Sequence, residues 1–195
     1  MTSVTPFLWF DKDALPAAEF YTSLIPNSEI KEVNRSPVSG DVFSLTFTVA
    51  GREFFALNGG PHYEFTPALS LFVECADQAE VDKYWDALTA DGGEESRCGW
   101  LKDKWGLSWQ IVPKRLGEVL SNLDPIKAKA AMEAMLQMNK IIVADDLLTS
   151  KASVEKTAVN YSDANVKLSL RPSKRKEITR INFIKLHNKR KSHQI

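Results

Sequence analysis

The sequence predicts an α+β protein of two tandem βαβββ modules, followed by C-terminal helices and a basic tail. Three observations predict it. The order strand, helix, three strands occurs twice, and the two occurrences align with a drifting offset. Phe7-Leu8-Trp9-Phe10 stands 63 positions before Ser70-Leu71-Phe72-Val73, Asp13, Phe20-Tyr21 and Leu24 stand 64 before Asp77, Tyr84-Trp85 and Leu88, and Gly51 stands 55 before Gly106. Shared order with small insertions and deletions is the trace of an internal duplication. Second, each half closes on a hairpin built around a glycine. Third, charge divides the chain: residues 1–149 carry 13 Lys and Arg against 22 Asp and Glu, net −9, whereas residues 150–195 carry 12 against 3, net +9.

The elements follow in order. Thr5 to Phe10 is a short aromatic-rich apolar run, too brief for a helix and hence a buried strand. Asp11 or Asp13 caps the helix after it, Pro16 is tolerated in the first turn, and Ala17, Phe20, Tyr21 and Leu24 recur at helical spacing until Pro26. Ser28 to Asn34, Val42 to Val49 and Arg52 to Leu57 are extended runs separated by turns at Pro37–Gly40 and Ala50–Gly51. After the loop 58–67, Leu69 to Val73 is a strand. Asp77 caps a helix with the stripe Val81, Tyr84, Trp85 and Leu88, which Gly92-Gly93 ends. A weak strand near Glu94 to Arg97 leads into Cys98–Pro113, which reads CGWLKDKWGLSWQIVP and turns at Lys104-Trp105-Gly106. Gly106 can take the positive φ of a tight turn there. Beyond Pro113, Leu116 to Leu123 reads as a short helix. Asp124-Pro125 opens a longer one through Met138, with Ala128, Met132, Met135, Leu136 and Met138 as a flexible apolar face.

Composition excludes several classes. There is no uninterrupted apolar run near the length of a membrane span. Two cysteines, Cys75 and Cys98, with no signal-like N-terminus point to free thiols in a reducing interior, and so to a cytoplasmic protein. Nucleic acid is an unsuitable partner for the acidic block. The basic clusters SKRK at Ser173–Lys176 and NKRK at Asn188–Lys191 are the one place for it, and only Tyr161 and Phe183 interleave them. Composition reads 150–195 as a solvated, disordered extension.

The strings PFLWFD with AAEFY, then ALNGGP, LSLFVEC, QAEVDKYWDAL, CGWLKDKWGLSWQIVP and AMEAMLQMNK resemble the vicinal oxygen chelate superfamily of glyoxalase, bleomycin-resistance and dioxygenase relatives. In particular they resemble its PhnB-like branch, often labelled 3-demethylubiquinone-9 3-methyltransferase-like. The resemblance spans roughly Val4 to Met138 and stops before the tail, as a fusion or a shifted reading frame would leave it. It implies modules at about 4–58 and 68–113 within a domain 1–115, to which helix signals and composition add a helical extension 116–149 and a basic tail 150–195. It further implies that the two mixed sheets curve around a cleft, and that chains pair as homodimers. Trp9, Phe55, Trp100 and Trp109 are then the candidate apolar lining. Asn58, His62, Ser70 and Gln110 are the polar groups that would orient a small-molecule ligand. On a regular strand Trp109 and Gln110 point to opposite faces, so both line the cleft only across a bulge.

The superfamily often binds a metal in this cleft. By the repeat offsets the ligand places fall near Thr5, Phe55, Ala68 and Gln110, of which only Gln110 has a suitable side chain, so no metal is expected. Nor is a cofactor expected. Adenosylmethionine enzymes of the doubly wound type need a glycine-rich turn opening a helix, whereas Gly59-Gly60 is followed by Pro61 and Gly92-Gly93 by a strand. Cys98 has basic neighbours but no evident histidine partner, so no catalytic residue is assigned. The sequence therefore favours a metal-free small-molecule-binding module. An enzyme of the same fold acting on a small aromatic or quinone-like substrate is the alternative.

Overall fold

The structure, a computed structural model, describes residues 2–122 and 124–143. The tail, with its disorder and nucleic-acid readings, lies outside the described residues. The order of elements is β1 (Phe7–Phe10), α1 (Ala14–Leu24), β2 (Glu29–Arg35), β3 (Val42–Val49), β4 (Arg52–Asn58), β5 (Ser70–Cys75), α2 (Gln78–Thr89), β6 (Glu94–Glu95), β7 (Trp100–Lys102), β8 (Ser108–Pro113), α3 (Lys114–Leu120) and α4 (Pro125–Met135). Two four-stranded sheets have the same topology, β1-β4-β3-β2 and β5-β8-β7-β6. In each the first and last strands are parallel and the rest antiparallel, so the duplication read from the offsets is a duplication of topology.

Differences from the sequence reading lie at element ends. β1 begins at Phe7, after Pro6, which has no N–H to give the ladder. The weak strand shrinks to Glu94–Glu95 because Cys98 and Gly99 are both left-handed, with φ of 59° and 82°, and turn the chain there. Asp13 does stand at the N-cap of α1 but makes no side-chain cap; Asn58 Oδ1 accepts the Ala14 N–H instead, at 2.8 Å. Asp77 and Asp124 cap α2 and α4 as read, accepting from Glu80 N and Ile126 N.

Strand alternation gives each sheet two unlike faces. Leu8, Phe10, Leu45, Phe47, Phe54 and Ala56 of the first sheet are buried toward the helices, as are Cys75, Leu101, Trp109 and Ile111 of the second. One continuous core joins both modules through these helix-covered faces. Tyr21 of α1 reaches the second module, its ring 5.2 Å from Trp109 and 5.6 Å from Trp105, while its hydroxyl donates to Asp103 Oδ2 at 2.6 Å. The opposite faces stay open: Phe7 is 56% and Phe72 58% exposed.

The chain then returns to the second module. α4 stops at Met135, short of the predicted Met138, where Gln137 N and Met138 N turn to the carbonyls three residues back, Ala134 O and Met135 O, in place of the α-helical pattern. Met138 O accepts from Cys98 N and Asn139 O from Gly99 N, both at 2.8 Å. Ile141 is fully buried, Lys140 pairs with Asp86 at 2.8 Å and Asp82 at 3.2 Å, and Gln78 bonds Ile141 O and Val143 N. Residues 138–143 thus form a strap over module two. Among the described residues no helix is long and apolar enough to cross a membrane.

Candidate functional site

The eight residues predicted to line a cleft divide among several places. Trp9 and Phe55 share the open face of the first sheet, where Phe55 meets Phe7 edge-on at 6.0 Å. The Trp9 ring is held on both sides. Its Nε1 donates to Gly60 O at 2.9 Å, Tyr63 packs edge-on at 5.0 Å, and a Cβ on Gly59 would lie 2.2 Å from Trp9 Cζ2. Gly59 is therefore the one position of the ALNGG run where the absence of a side chain makes room for this ring. His62 is exposed in the same loop. Ser70, Trp100 and Gln110 share the open face of the second sheet, with Gln110 Nε2 donating to Ser70 Oγ at 2.8 Å.

Two assignments are corrected. Trp109 is fully buried on the helix-covered face and donates its Nε1 to Asp103 Oδ2 at 2.9 Å, so it is core and no bulge brings it round. Asn58 stands on that same face, half-buried, holding Ala14 N and Val42 O, and lines a separate surface depression with Lys12, Pro16 and Val42 instead of sharing a cleft with Trp9.

A groove of about 440 Å³ lies where the modules meet. Trp9, Tyr63 and Phe65 form one wall; Lys102, Lys104 and Trp105 of the β7–β8 hairpin form the other. Asp103 makes the hairpin wall rigid. Its carboxylate is 3% exposed and accepts from Tyr21 Oη, Trp109 Nε1, Trp105 N and Leu107 N. Burial pushes its pKa up, against the lowering effect of these four donors. Burial, then Asp103 itself, holds the Tyr21 phenol well above its usual value, so it stays a donor. The sequence reading placed Trp105 in the turn and left out Tyr63, Phe65 and Lys102. The signal for Trp105 was present: a third tryptophan directly after Lys102-Asp103-Lys104, at the turn of an apolar hairpin.

Chemically, the site offers recognition more readily than reaction. The positions read as superfamily metal ligands, Thr5, Phe55, Ala68 and Gln110, do not fit a divalent ion, which needs three or four donors. Among the described residues no cluster of three His, Cys, Asp or Glu could hold one. The turns that open helices after a strand, Asp11-Lys12-Asp13 and Ala76-Asp77, contain no glycine to cradle a nucleotide-like cofactor. Cys75 is buried and its thiol is pushed up to about 12, first by burial and then by Glu80 and Asp77, which makes it a poor nucleophile. None of the hydrogen bonds among the described residues joins His62 to a hydroxyl or thiol.

The sequence profile of the 3-demethylubiquinone-9 3-methyltransferase family matches residues 2–112, which hold every strand but the last residue of β8 and both module helices. The chain belongs to this family. It is 34% identical to the PhnB protein of Bacillus cereus, with a TM-score of 0.54 over 57% of this chain and 99% of that one. Protein PA1353 from Pseudomonas aeruginosa is 14% identical over 58% of this chain and 98% of that one, at TM-score 0.48. The fosfomycin resistance protein FosX of Listeria monocytogenes, solved with Mn(II) and sulfate, is 17% identical over 55% of this chain and 88% of that one, at TM-score 0.41. No match was found among curated proteins. With family and topology together, the fold is that of the vicinal oxygen chelate superfamily, in its PhnB-like branch. The family match ends before α3, α4 and the strap.

Proposed function

We propose that this chain is a small-molecule-binding protein of the PhnB-like type, metal-free, that takes its ligand in the groove between the modules. The single observation that carries the reading is the pairing of two held aromatic walls, Trp9 with Tyr63 and Trp105, across a space of ligand size. Pockets of about 300–1,000 Å³ at the junction of structural units are the usual places for such ligands. Catalysis needs a positioned acid, base or electrophile, and among the described residues none of the carboxylates and lysines lining the groove is hydrogen-bonded to a hydroxyl, thiol or imidazole that it could activate. The family's name favours a second reading, an enzyme acting on a small aromatic or quinone-like substrate.

Methyl transfer separates the two. Incubation with a short-chain demethylubiquinone analogue and S-adenosylmethionine is expected to give no methylated product above background, while calorimetry detects binding of the analogue that Trp9→Ala weakens about tenfold. Methylated product that forms in proportion to protein would establish the enzyme.

The working assembly in this reading is a cytoplasmic homodimer. The open faces, with Phe7 and Phe72 more than half exposed, are where a second copy would bury apolar surface.

A further inference from the structure

The two walls of the groove differ in charge. The hairpin wall contributes Lys102 and Lys104 and no acid, because Asp103 between them is turned into the core toward Tyr21 and Trp109. Lys104 is occupied: its ammonium sits over the Trp105 ring at 4.7 Å and the Phe20 ring at 5.9 Å. Lys102 is different. It is half-buried at the end of β7, and among the described residues it forms no ion pair. Glu94 is its register partner on β6 but does not come within ion-pair distance. On the other side Lys102 pairs in register with Ser108, whose hydroxyl is 1% exposed and has no hydrogen-bond partner. A half-buried cation without a counter-ion, next to an unsatisfied buried hydroxyl, is a costly arrangement in a finished core. Of the two only Lys102 lines the groove, and there a ligand anion can supply the missing counter-ion.

Carboxylates also line the groove, and they fix the ligand's orientation. Asp11, Asp13 and Glu64 belong to the β1–α1 connection and the inter-module loop, where exposed Lys12 between the two aspartates offsets one of the three charges and leaves that side net negative. Asp13 stands at the N-cap of α1, where the helix dipole favours its charge, and Asp11 and Glu64 are exposed to water. An anionic group would be repelled from that side and drawn to Lys102. Between the two ends the surface is mainly apolar, from Trp9, Phe10, Pro61, Tyr63, Phe65 and Trp105.

We infer that the ligand of the inter-module groove is a planar aromatic anion, stacked between Trp9 and Trp105 with its carboxylate or equivalent acid on Lys102. This rests on the binding role proposed above and adds the ligand's charge and its anchor. The test is calorimetric titration of the full chain with 2-naphthoate and with its neutral isostere 2-naphthamide. The naphthoate is expected to bind about tenfold more tightly. Lys102→Gln should remove that preference while leaving the amide's affinity unchanged, and Lys127→Gln on exposed α4 should preserve it. Near-UV circular dichroism of each variant reports that the aromatic core is intact. Equal affinity for the two compounds, or a preference that survives Lys102→Gln, overturns the anion inference and leaves the groove standing. Binding of neither compound at millimolar concentration overturns both the inference and the groove.

Discussion

Asp103 shows how one side chain can set the geometry of a site it does not line. A carboxylate accepts all four of its donors; an amide in its place would keep one acceptor oxygen and turn its own N–H₂ toward donors. Asp103→Asn is therefore expected to destabilise the protein by about 1–3 kcal/mol in urea unfolding. The pH dependence follows from the direction of the shift. Burial raises the folded-state pKa above the unfolded one, so the associated stability is fully present below the ordinary carboxylate range and declines as pH rises through the folded value. The gap between wild type and Asp103→Asn should narrow from pH 4 to pH 7; a gap that widens would mean the donors outweigh burial. At Gly59 the constraint is steric, since a methyl group would overlap the Trp9 indole. Gly59→Ala is expected to cost about 1–3 kcal/mol by overpacking and to shift Trp9 fluorescence. An unchanged melting temperature and spectrum would show that the ring moves freely aside.

At the scale of elements the sequence was legible where periodicity and turn chemistry agreed. The stripe Val81, Tyr84, Trp85, Leu88 with its Asp77 cap, and the hairpin turning at Gly106, appear in the structure much as read. What could not be read was side-chain direction. Trp109 and Trp100 look alike in sequence, yet the register that pairs Trp109 with Leu101 and Leu71 sends it into the core, while Trp100 shares the open face with Gln110. Asn58 looked like a ligand-facing amide and is a helix cap, because the residue that caps α1 is 44 positions from it rather than adjacent. The groove was hidden for the same reason. Tyr63 and Lys102 meet only through the packing of two modules, and no local pattern encodes that. The strap was equally invisible, since its carbonyls pair with the left-handed Cys98-Gly99 turn. Ile141→Ala is expected to cost about 2–4 kcal/mol and to speed amide exchange at Cys98 and Gly99 ahead of β8. Exchange that quickens uniformly would show the strap to be part of one cooperative unit.

For the whole molecule, the modules meet through their helix-covered faces and leave two open sheet faces. Sedimentation velocity is expected to give a dimer, and Phe7→Glu combined with Phe72→Glu a folded monomer, because a charge on each face would be buried without a partner. A wild-type monomer at micromolar concentration would remove the dimer from the account. The groove itself is tested most directly by the five indole N–H resonances of the ¹⁵N-labelled protein during titration with 2-naphthoate. Trp9 and Trp105 line the groove, while Trp85 and Trp109 are buried and bonded to Glu95 and Asp103. Binding in the groove predicts that the Trp9 and Trp105 signals move together and saturate while those of Trp85 and Trp109 stay in place. Movement confined to Trp100, on the open face of the second sheet, would place the ligand elsewhere and contradict the groove.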